Sequence, residues 1–278
     1  MPQEFEERLE ITTGVVCPNN CKEYCPKEVF IKNYAGDKSQ LLSLSDFKRI
    51  LSTVPRGVGI DFSGFCEPFV NTETVEMLRF AHNSGYKLAI FTTLRGASES
   101  DIDELIKIPF SSFYLHLPDG KHLSFPLTNE YLLNLFKVIQ GIRNVKLVSM
   151  DDSFKSDNRE NVVRGLNRKS HRFGYCRSWV KPDFVVLPNG NVQLCCMDFG
   201  LWHTVGNLLT EDYSQIRRRF IHSHKFELCG YCSRQLPYQV YALRRAYFET
   251  LYYLNAANRI VIRAYNIWKN KHFVSESR

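Results

Sequence analysis

The sequence lacks the features of a secreted or membrane-inserted chain. Its first eight residues, Met-Pro-Gln-Glu-Phe-Glu-Glu-Arg, are acidic and polar, whereas a signal peptide begins with a basic stretch and an apolar run. No uncharged run is long enough to cross a bilayer. The nine cysteines are an odd number and follow no secretion signal, so they favour reduced thiols that bind metal over a disulfide framework. These absences predict a reducing, cytoplasmic location.

The body of the chain also lacks a strong charge of either sign. The formal net charge is +7, but 238–278 holds seven Lys/Arg against Glu249 and Glu276, which leaves only +2 for all other residues. This distribution argues against a nucleic-acid-binding body. An anionic partner, including a membrane surface contacted peripherally, would meet the basic, aromatic tail, which is predicted to be helical. A tail helix packed on the body with a solvated basic face is the alternative.

The order of apolar patterns predicts an α/β fold. Strand-like and helical runs alternate about five times with short connections, which is typical of a parallel sheet covered by helices. A complete or partial barrel and an open doubly wound sheet both fit, and no G-x-G-x-x-G follows the first strand to favour dinucleotide binding. The predicted strands are 11–16, 57–62, 86–92, 112–117 and 145–149, and the predicted helices are 41–51, 72–84, 98–106 and 129–139.

Three cysteines directly after the first predicted strand indicate a reactive metal centre. Cys17, Cys21 and Cys25 lie within nine residues, and thiolates favour zinc or iron–sulfur clusters over hard cations. A 4Fe–4S cluster takes four ligands, and no fourth cysteine or histidine follows nearby. A centre with three thiols keeps one position open, which is the mark of a catalytic rather than a structural metal site.

Further polar residues follow the next strands, at the edge where the chemistry of parallel α/β folds gathers. The segment 63–68 follows the second strand, Thr92 the third and His116 the fourth, which predicts one shared site. His116 and Asp119 are candidates for proton transfer, and an ordinary loop histidine is the alternative. Cys66 is predicted to be a small buried side chain rather than a ligand.

A second cysteine set lies in a differently built region. Residues 184–187 and 192–195 are β-rich runs on either side of Pro188-Asn189-Gly190, which predicts a hairpin. Cys176 precedes this hairpin, Cys195 ends it, and Cys229 and Cys232 form a later C-x2-C. Sulfurs from distant positions in the sequence would then bind one metal centre. A structural zinc site with four cysteine ligands is the alternative to an iron–sulfur cluster.

The cysteine loop resembles that of the radical S-adenosylmethionine (radical SAM) enzymes. Their usual spacing is C-x3-C-x2-C, and this chain has C-x3-C-x3-C with an aromatic residue, Tyr24, just before the last cysteine. Ser63-Gly64-Phe65-Cys66-Glu67-Pro68 resembles the family's "GGE" segment, with Cys66 where a glycine is common. The resemblance implies a 4Fe–4S cluster on the three cysteines and contacts of Glu67 with the methionine amino group of S-adenosylmethionine. The implied cofactor-binding residues are Tyr24, Ser63, Gly64, Glu67 and Thr92.

The second cysteine set resembles the SPASM/twitch extension of such enzymes. Its C-x9–15-G-x4-C signature is met by Cys176, Gly190 and Cys195, and Gly206-Asn207-Leu208 matches a further step. The match selects Cys195 over Cys196, because consecutive strand residues point to opposite faces. Since no further cysteine follows Cys232, the shorter twitch form is implied, with an auxiliary cluster on four cysteines. These are Cys176, Cys195, Cys229 and Cys232.

The resemblance divides the chain into a radical SAM partial barrel (1–150), a linker (151–170), a twitch-type cluster domain (171–237) and the helical tail (238–278). It implies reductive cleavage of S-adenosylmethionine, hydrogen abstraction from a small-molecule substrate, and a flavodoxin- or ferredoxin-type reductant. A sugar or aminocyclitol undergoing oxidation is the expected substrate. A peptide-modifying maturase is one alternative, and a zinc-binding interaction or RNA-binding protein without chemistry is another.

Overall fold

The computed structural model describes residues 7–21, 25–149, 182–222 and 226–232, together with Arg159, Cys176, Ser178 and five single residues between 239 and 250. Apart from those single residues, the predicted linker and tail lie outside the described residues, as does Tyr24. The predicted domain boundaries therefore stay predictions.

One sheet of eight strands organises the described residues, in the order β5-β4-β3-β2-β1-β6-β7-β8. The pairs from β5 to β6 are parallel, and β6-β7 and β7-β8 are antiparallel. The strands are β1 (Arg8–Ile11), β2 (Gly59–Phe62), β3 (Leu88–Thr92), β4 (Ser112–Leu117), β5 (Val145–Ser149), β6 (Asp183–Val186), β7 (Asn191–Gln193) and β8 (Thr204–Asn207).

Helices lie between the strands as the alternating pattern predicts. They are α1 (Lys27–Asn33), α2 (Leu44–Ser52), α3 (Thr74–Asn83), α4 (Glu99–Leu105), α5 (Asn129–Gly141) and α6 (Tyr213–His222). Ser43 caps α2 by accepting a hydrogen bond from the Asp46 amide, and Ser98 forms a capping box with Asp101 at α4. The four predicted helices are confirmed within a few residues at each end, whereas α1 has no counterpart in the sequence prediction.

The sheet has one apolar face and one polar face. Alternate residues such as Leu9, Ile60 and Leu115 are fully buried in the same cluster as the apolar sides of α2 to α5. Because these helices cover one face while β1 to β5 follow one another in order, the arrangement is that of a partial (β/α) barrel rather than a doubly wound sheet. The predicted α/β fold of the partial-barrel type is confirmed.

The first strand begins and ends earlier than the sequence predicts. The predicted strand 11–16 is wrong, since pairing with β2 and β6 covers Arg8–Ile11. The chain leaves the sheet after Thr12, whose amide still donates to the Val186 carbonyl at 2.9 Å. The side chains of Thr12 and Thr13 instead bind the segment after β2. The Thr12 hydroxyl accepts a hydrogen bond from the Phe65 amide, and the Thr13 hydroxyl donates one to the Pro68 carbonyl.

The predicted hairpin is confirmed, and β6 and β7 are its two strands. It continues the main sheet, because β6 pairs in parallel with β1 from Arg8↔Asp183 to Ile11↔Val186. None of the helices in the described part of the chain has the length and apolar character needed to span a bilayer.

Candidate active site

The cysteine loop lies at the carboxyl edge of the sheet and is fixed to three neighbouring segments. Lys27 donates from its ammonium to the carbonyls of Cys17 at 3.3 Å and Asn19 at 2.6 Å. Arg95 donates to the Pro18 carbonyl. The Cys21 backbone forms an antiparallel bridge with Leu123, in the loop after β4. These contacts hold the loop over the ends of β3 and β4.

The thiols of Cys17 and Cys25 are partly buried and lie near cationic side chains. Cys17 Sγ accepts a hydrogen bond from the Glu67 amide at 3.3 Å, and Cys25 packs against the cluster that contains Phe65 and Phe199. Burial raises the pKa of Cys25 to about 11, and the nearby charge of Arg159 opposes the shift. Burial also raises the pKa of Cys17. A neutral thiol is favoured there until a positively charged group such as an iron centre binds.

Arg159 brings a buried donor to the same place. Its Nε atom is buried and has no hydrogen-bond partner, while one terminal nitrogen donates to the Cys196 carbonyl at 2.9 Å. The guanidinium lies over the Phe199 ring at 5.2 Å from its centroid. A buried N–H without a partner costs free energy unless an anionic or acceptor group occupies the space before it. Three thiols on one loop beside such a donor fit a cluster of iron and sulfide.

Glu67 is buried at the centre of the site, 4% exposed. Its carboxylate accepts hydrogen bonds from the Thr92 hydroxyl, from the amide and hydroxyl of Thr93 (2.8 Å each) and from the Asn19 side chain at 3.1 Å. Burial raises the pKa of Glu67, and these hydrogen bonds oppose the rise. The structure thereby brings together the cysteine loop, the segment after β2 and the end of β3.

The other residues of the segment after β2 are placed by close packing. Gly64 has φ +63°, and a Cβ atom there would lie 2.2 Å from Thr12 Oγ1. Ser63 donates to the Glu10 carboxylate at 2.9 Å. Cys66 is buried and its sulfur lies 3.6 Å from the Thr13 hydroxyl, as expected for a packed side chain, and burial raises its pKa to about 12.

His116 and Asp119 differ in their surroundings. Burial lowers the pKa of His116 to about 4, so its imidazole is neutral at pH 7. The Asp119 carboxylate accepts hydrogen bonds from the amides of Lys121, His122 and Leu123 at 2.8–3.0 Å. The hydrogen bond from the Leu123 amide is the main cause that holds the pKa of Asp119 far below its usual range. Asp119 thus orders the loop that bridges to Cys21. Its role in proton transfer stays a prediction.

Sequence reasoning missed several residues of this site. Asn19, Lys27 and Arg95 hold the cysteine loop, and only the position of Asn19 between two of the cysteines signalled a role. Tyr131, at the start of α5, has a buried hydroxyl without a hydrogen-bond partner. Burial raises its pKa to about 12, and the charge of Glu67 adds to the shift. A Tyr in a helix carries no such signal in the sequence.

The polar face of the sheet continues below this edge. Phe91, Tyr114 and Lys146 are partners in neighbouring strands, and the two rings stack at 4.2 Å with 6° between their planes. The Lys146 ammonium donates to the Tyr114 hydroxyl at 2.9 Å. Deeper in the sheet, Arg8 forms a two-pronged ion pair with the buried Asp61. Polar and aromatic groups therefore line this face of the sheet.

Three cysteines of the second set, Cys195, Cys229 and Cys232, pack in one apolar cluster. Burial raises the pKa of Cys195 far above its usual value, and the charges of Cys196, Cys176 and Cys232 add to the rise. Cys195 and Cys229 pack against the same apolar cluster that contains Cys232. Cys196 is buried in the other cluster, beside Phe199. The two neighbouring cysteines therefore pack in different clusters, but both lie after the end of β7, so the strand alternation expected from the sequence does not apply to them.

In the part of the chain that is described, no three Cys, His, Asp or Glu side chains are grouped as ligands of one metal ion. The metal assignments for Cys17, Cys21, Cys25, Cys176, Cys195, Cys229 and Cys232 remain predictions.

Comparison with known structures identifies the fold. BtrN in complex with AdoMet and 2-DOIA is similar with a TM-score of 0.60 and 18% identity, over 82% of this chain and 93% of BtrN. An open conformation of BtrN gives 0.56 and 17%, over 84% and 97%. Native anSMEcpe with bound AdoMet gives 0.51 and 14%, over 91% and 99%.

These structural neighbours are radical SAM enzymes, and at such identities the likeness establishes the fold alone. This chain has the fold of radical SAM enzymes. A scan against protein-family models and a search of curated proteins found no match.

Proposed function

We propose that this chain is a radical SAM enzyme. The observation that carries the proposal is the three-cysteine loop, held at the carboxyl edge of a partial barrel by Glu67, Lys27 and Arg95. Active sites of (β/α) barrels lie at this edge. Cys17, Cys21 and Cys25 would hold a 4Fe–4S cluster with one open iron.

When bound, the cluster and S-adenosylmethionine supply a 5′-deoxyadenosyl radical that abstracts hydrogen from a substrate. The chain's own residues prepare the place for it. Arg159 offers a buried N–H near Cys25, which favours negative charge at that position. Gly64 lets the backbone after β2 approach Thr12 closely, which no larger residue permits. Ser63, Gly64 and Thr92 are the proposed cofactor contacts at the ends of β2 and β3.

We propose a second, auxiliary iron–sulfur cluster on Cys176, Cys195, Cys229 and Cys232. The packing of Cys195, Cys229 and Cys232 in one apolar cluster supports it. Such a cluster would accept the electron that a substrate radical releases on oxidation. A structural zinc ion on the same four thiols is the alternative that metal analysis separates.

The proposed substrate is a sugar or aminocyclitol. Glu10 and Ser63 form one polar pair, and Tyr114 and Lys146 form another. Carboxylate, hydroxyl and ammonium groups recognise the hydroxyl and amino groups of such molecules through charge-assisted hydrogen bonds. BtrN, which shares the fold, has been solved with 2-DOIA bound. His116, neutral at pH 7, is a proposed proton acceptor.

A flavodoxin or ferredoxin in a reducing cytoplasm is the proposed electron source. Two sets of thiols that are kept reduced for metal binding favour such a compartment.

The test is metal analysis combined with cofactor turnover. After anaerobic purification, iron, sulfide and zinc are counted, and 5′-deoxyadenosine is measured with S-adenosylmethionine and dithionite. About eight irons per chain are expected, since two cubanes hold four each. Replacing Cys17, Cys21 and Cys25 by alanine should leave about four irons and abolish 5′-deoxyadenosine.

Cys66→Ala is the matched control, because Cys66 is a buried cysteine near the loop that we expect to hold no metal. It should retain about eight irons. Zinc in place of iron, with no 5′-deoxyadenosine, would exclude the enzyme and leave a metal-stabilised binding protein. Turnover that rises with sugars or aminocyclitols and not with peptides would support the proposed substrate class, and the reverse would exclude it.

A further inference from the structure

The hydrogen bonds of Glu67 occupy its carboxylate. Four donors reach it, from Thr92, twice from Thr93 and from Asn19. An ionised carboxylate has about four lone-pair sites on its two oxygens. Three of the donors share one oxygen, Oε2. An incoming ammonium group would have to compete with these donors at Oε2, whereas Oε1 accepts, among the described residues, only from the Thr92 hydroxyl.

Asn19 is the cysteine-loop residue in this network. It lies between Cys17 and Cys21, and its side chain is buried although most of its neighbours are polar or exposed. Its amide nitrogen lies 3.1 Å from Glu67 Oε2 and 3.1 Å from the Thr93 hydroxyl. One amide group therefore ties the middle of the cysteine loop to both the segment after β2 and the end of β3.

The loop after β3 is shaped to keep this arrangement. Leu94 has φ +62°, a conformation that non-glycine residues rarely adopt, and its amide donates to the Thr92 hydroxyl at 2.8 Å. The Arg95 amide donates to the Thr93 hydroxyl at 3.3 Å. Such strain persists only where the surroundings enforce it. The two threonine hydroxyls that bind Glu67 are thus themselves oriented by the backbone.

We propose that Glu67 and Asn19 are positioning residues, which act on the proposed site by holding the cysteine loop in place before any cofactor binds. The inference rests on the proposed function, because a fixed loop matters for catalysis only if its three cysteines bind the cluster. It assigns the Glu67 side chain a different task from direct contact with the methionine ammonium. The cofactor is then left to the backbone of the segment after β2 and to other side chains.

The experiment compares Asn19→Ala, Glu67→Gln and the double variant of the full-length protein as purified, without S-adenosylmethionine. Hydrogen exchange of the backbone amides in 17–21 is measured by mass spectrometry. A lost hydrogen bond to a charged group should speed local opening by roughly tenfold or more in each single variant. Because both changes remove the same contact, the double variant should exchange no faster than the faster single variant.

Asn71→Ala is the matched control. Asn71 is a buried asparagine whose amide donates to the carbonyls of Thr13 at 3.0 Å and Leu42 at 2.7 Å, away from the cysteine loop. It should change exchange in those segments and leave 17–21 unaffected. A second readout is the rate at which a chelator removes iron from the site cluster, which should rise in the Asn19 and Glu67 variants and be insensitive to S-adenosylmethionine.

Two results would overturn the inference. One is unchanged exchange of 17–21 in Glu67→Gln together with weakened binding of S-adenosylmethionine, which would make Glu67 a direct cofactor ligand. The other is additive effects of the two substitutions. Neither result depends on enzymatic turnover, and amide exchange is measured whatever metal the loop holds. Failure of the proposed function would instead appear as zinc and no 5′-deoxyadenosine in the unmodified protein.

Discussion

Replacing Gly64 by alanine tests whether the segment after β2 depends on close backbone approach. The added Cβ would lie 2.2 Å from Thr12 Oγ1 and 3.0 Å from Thr12 Cα, and φ is +63°. An L-residue in this region costs about 1–2 kcal/mol. Forcing a methyl group into packed surroundings costs about 1–3 kcal/mol more. Together the free energy of unfolding should fall by about 2–5 kcal/mol, a large part of the ~5–15 kcal/mol typical of a folded protein.

The control is Gly85→Ala, at the end of α3. Gly85 has φ +85° and no atom within 4 Å of an added Cβ, so its substitution carries the conformational cost without the overlap. It should cost only about 1–2 kcal/mol. Both variants are unfolded in urea, and their midpoint concentrations are compared provided that the dependence of the unfolding free energy on urea has the same slope in each.

A double variant sharpens the comparison. Thr12→Ala removes the hydroxyl that the new methyl group would meet, so Gly64→Ala should cost less in that background than in the natural sequence. Equal costs for Gly64→Ala and Gly85→Ala, or no relief by Thr12→Ala, would refute the reasoning. Gly64→Ala should also weaken S-adenosylmethionine binding under conditions where the protein remains folded, whereas Gly85→Ala should not.

Three further predictions address the remaining site residues. Cys195→Ser should lower the iron content by about four per chain while Cys196→Ser leaves it unchanged, and the opposite result would reverse the assignment. Burial lowers the pKa of His116 to about 4 in the folded protein, against about 6.5 in the unfolded chain. Between these two values the unfolded chain binds a proton that the folded protein does not, so the free energy of unfolding decreases as the pH falls below about 6.5. The free energy of unfolding relative to His116→Phe should drop by roughly 2 kcal/mol between pH 6.5 and 5, and a flat difference would contradict the burial. Asp119→Asn should keep 5′-deoxyadenosine formation but speed hydrogen exchange of the Leu123 amide, which donates a hydrogen bond to the Asp119 carboxylate at 3.0 Å. Loss of turnover without faster exchange would point to a role of Asp119 in proton transfer.

The sequence predicts what is encoded locally. Cys17, Cys21 and Cys25 are recognisable because their spacing is contiguous, and α2 is predicted because Ser43 and the apolar period lie in one short window. The helix α1 escaped prediction because its seven residues contain a short, mixed pattern without a side-chain cap.

Contacts between distant segments were beyond local patterns. Glu67 bonds to Asn19, 48 residues earlier, and to Thr93, 26 residues later, and no periodicity carries that information. The end of β1 is a similar case. Residues 11–16 look like a strand, but the hydroxyls of Thr12 and Thr13 are drawn to the segment after β2 and the chain turns away. Tertiary hydrogen bonds here override β propensity.

The ladder between β1 and β6 connects the two parts of the chain that carry the cysteine sets. Cys17 follows β1 by a few residues, and Cys195 follows the hairpin that begins with β6. Adjacent strands lie about 4.8 Å apart whatever side chains they carry. Substitutions on the faces of these strands therefore leave the spacing of β1 and β6 unchanged. A change that breaks the ladder itself, such as a proline within β1, would shift the segments that follow the two strands, and with them the path of an electron between the two proposed clusters.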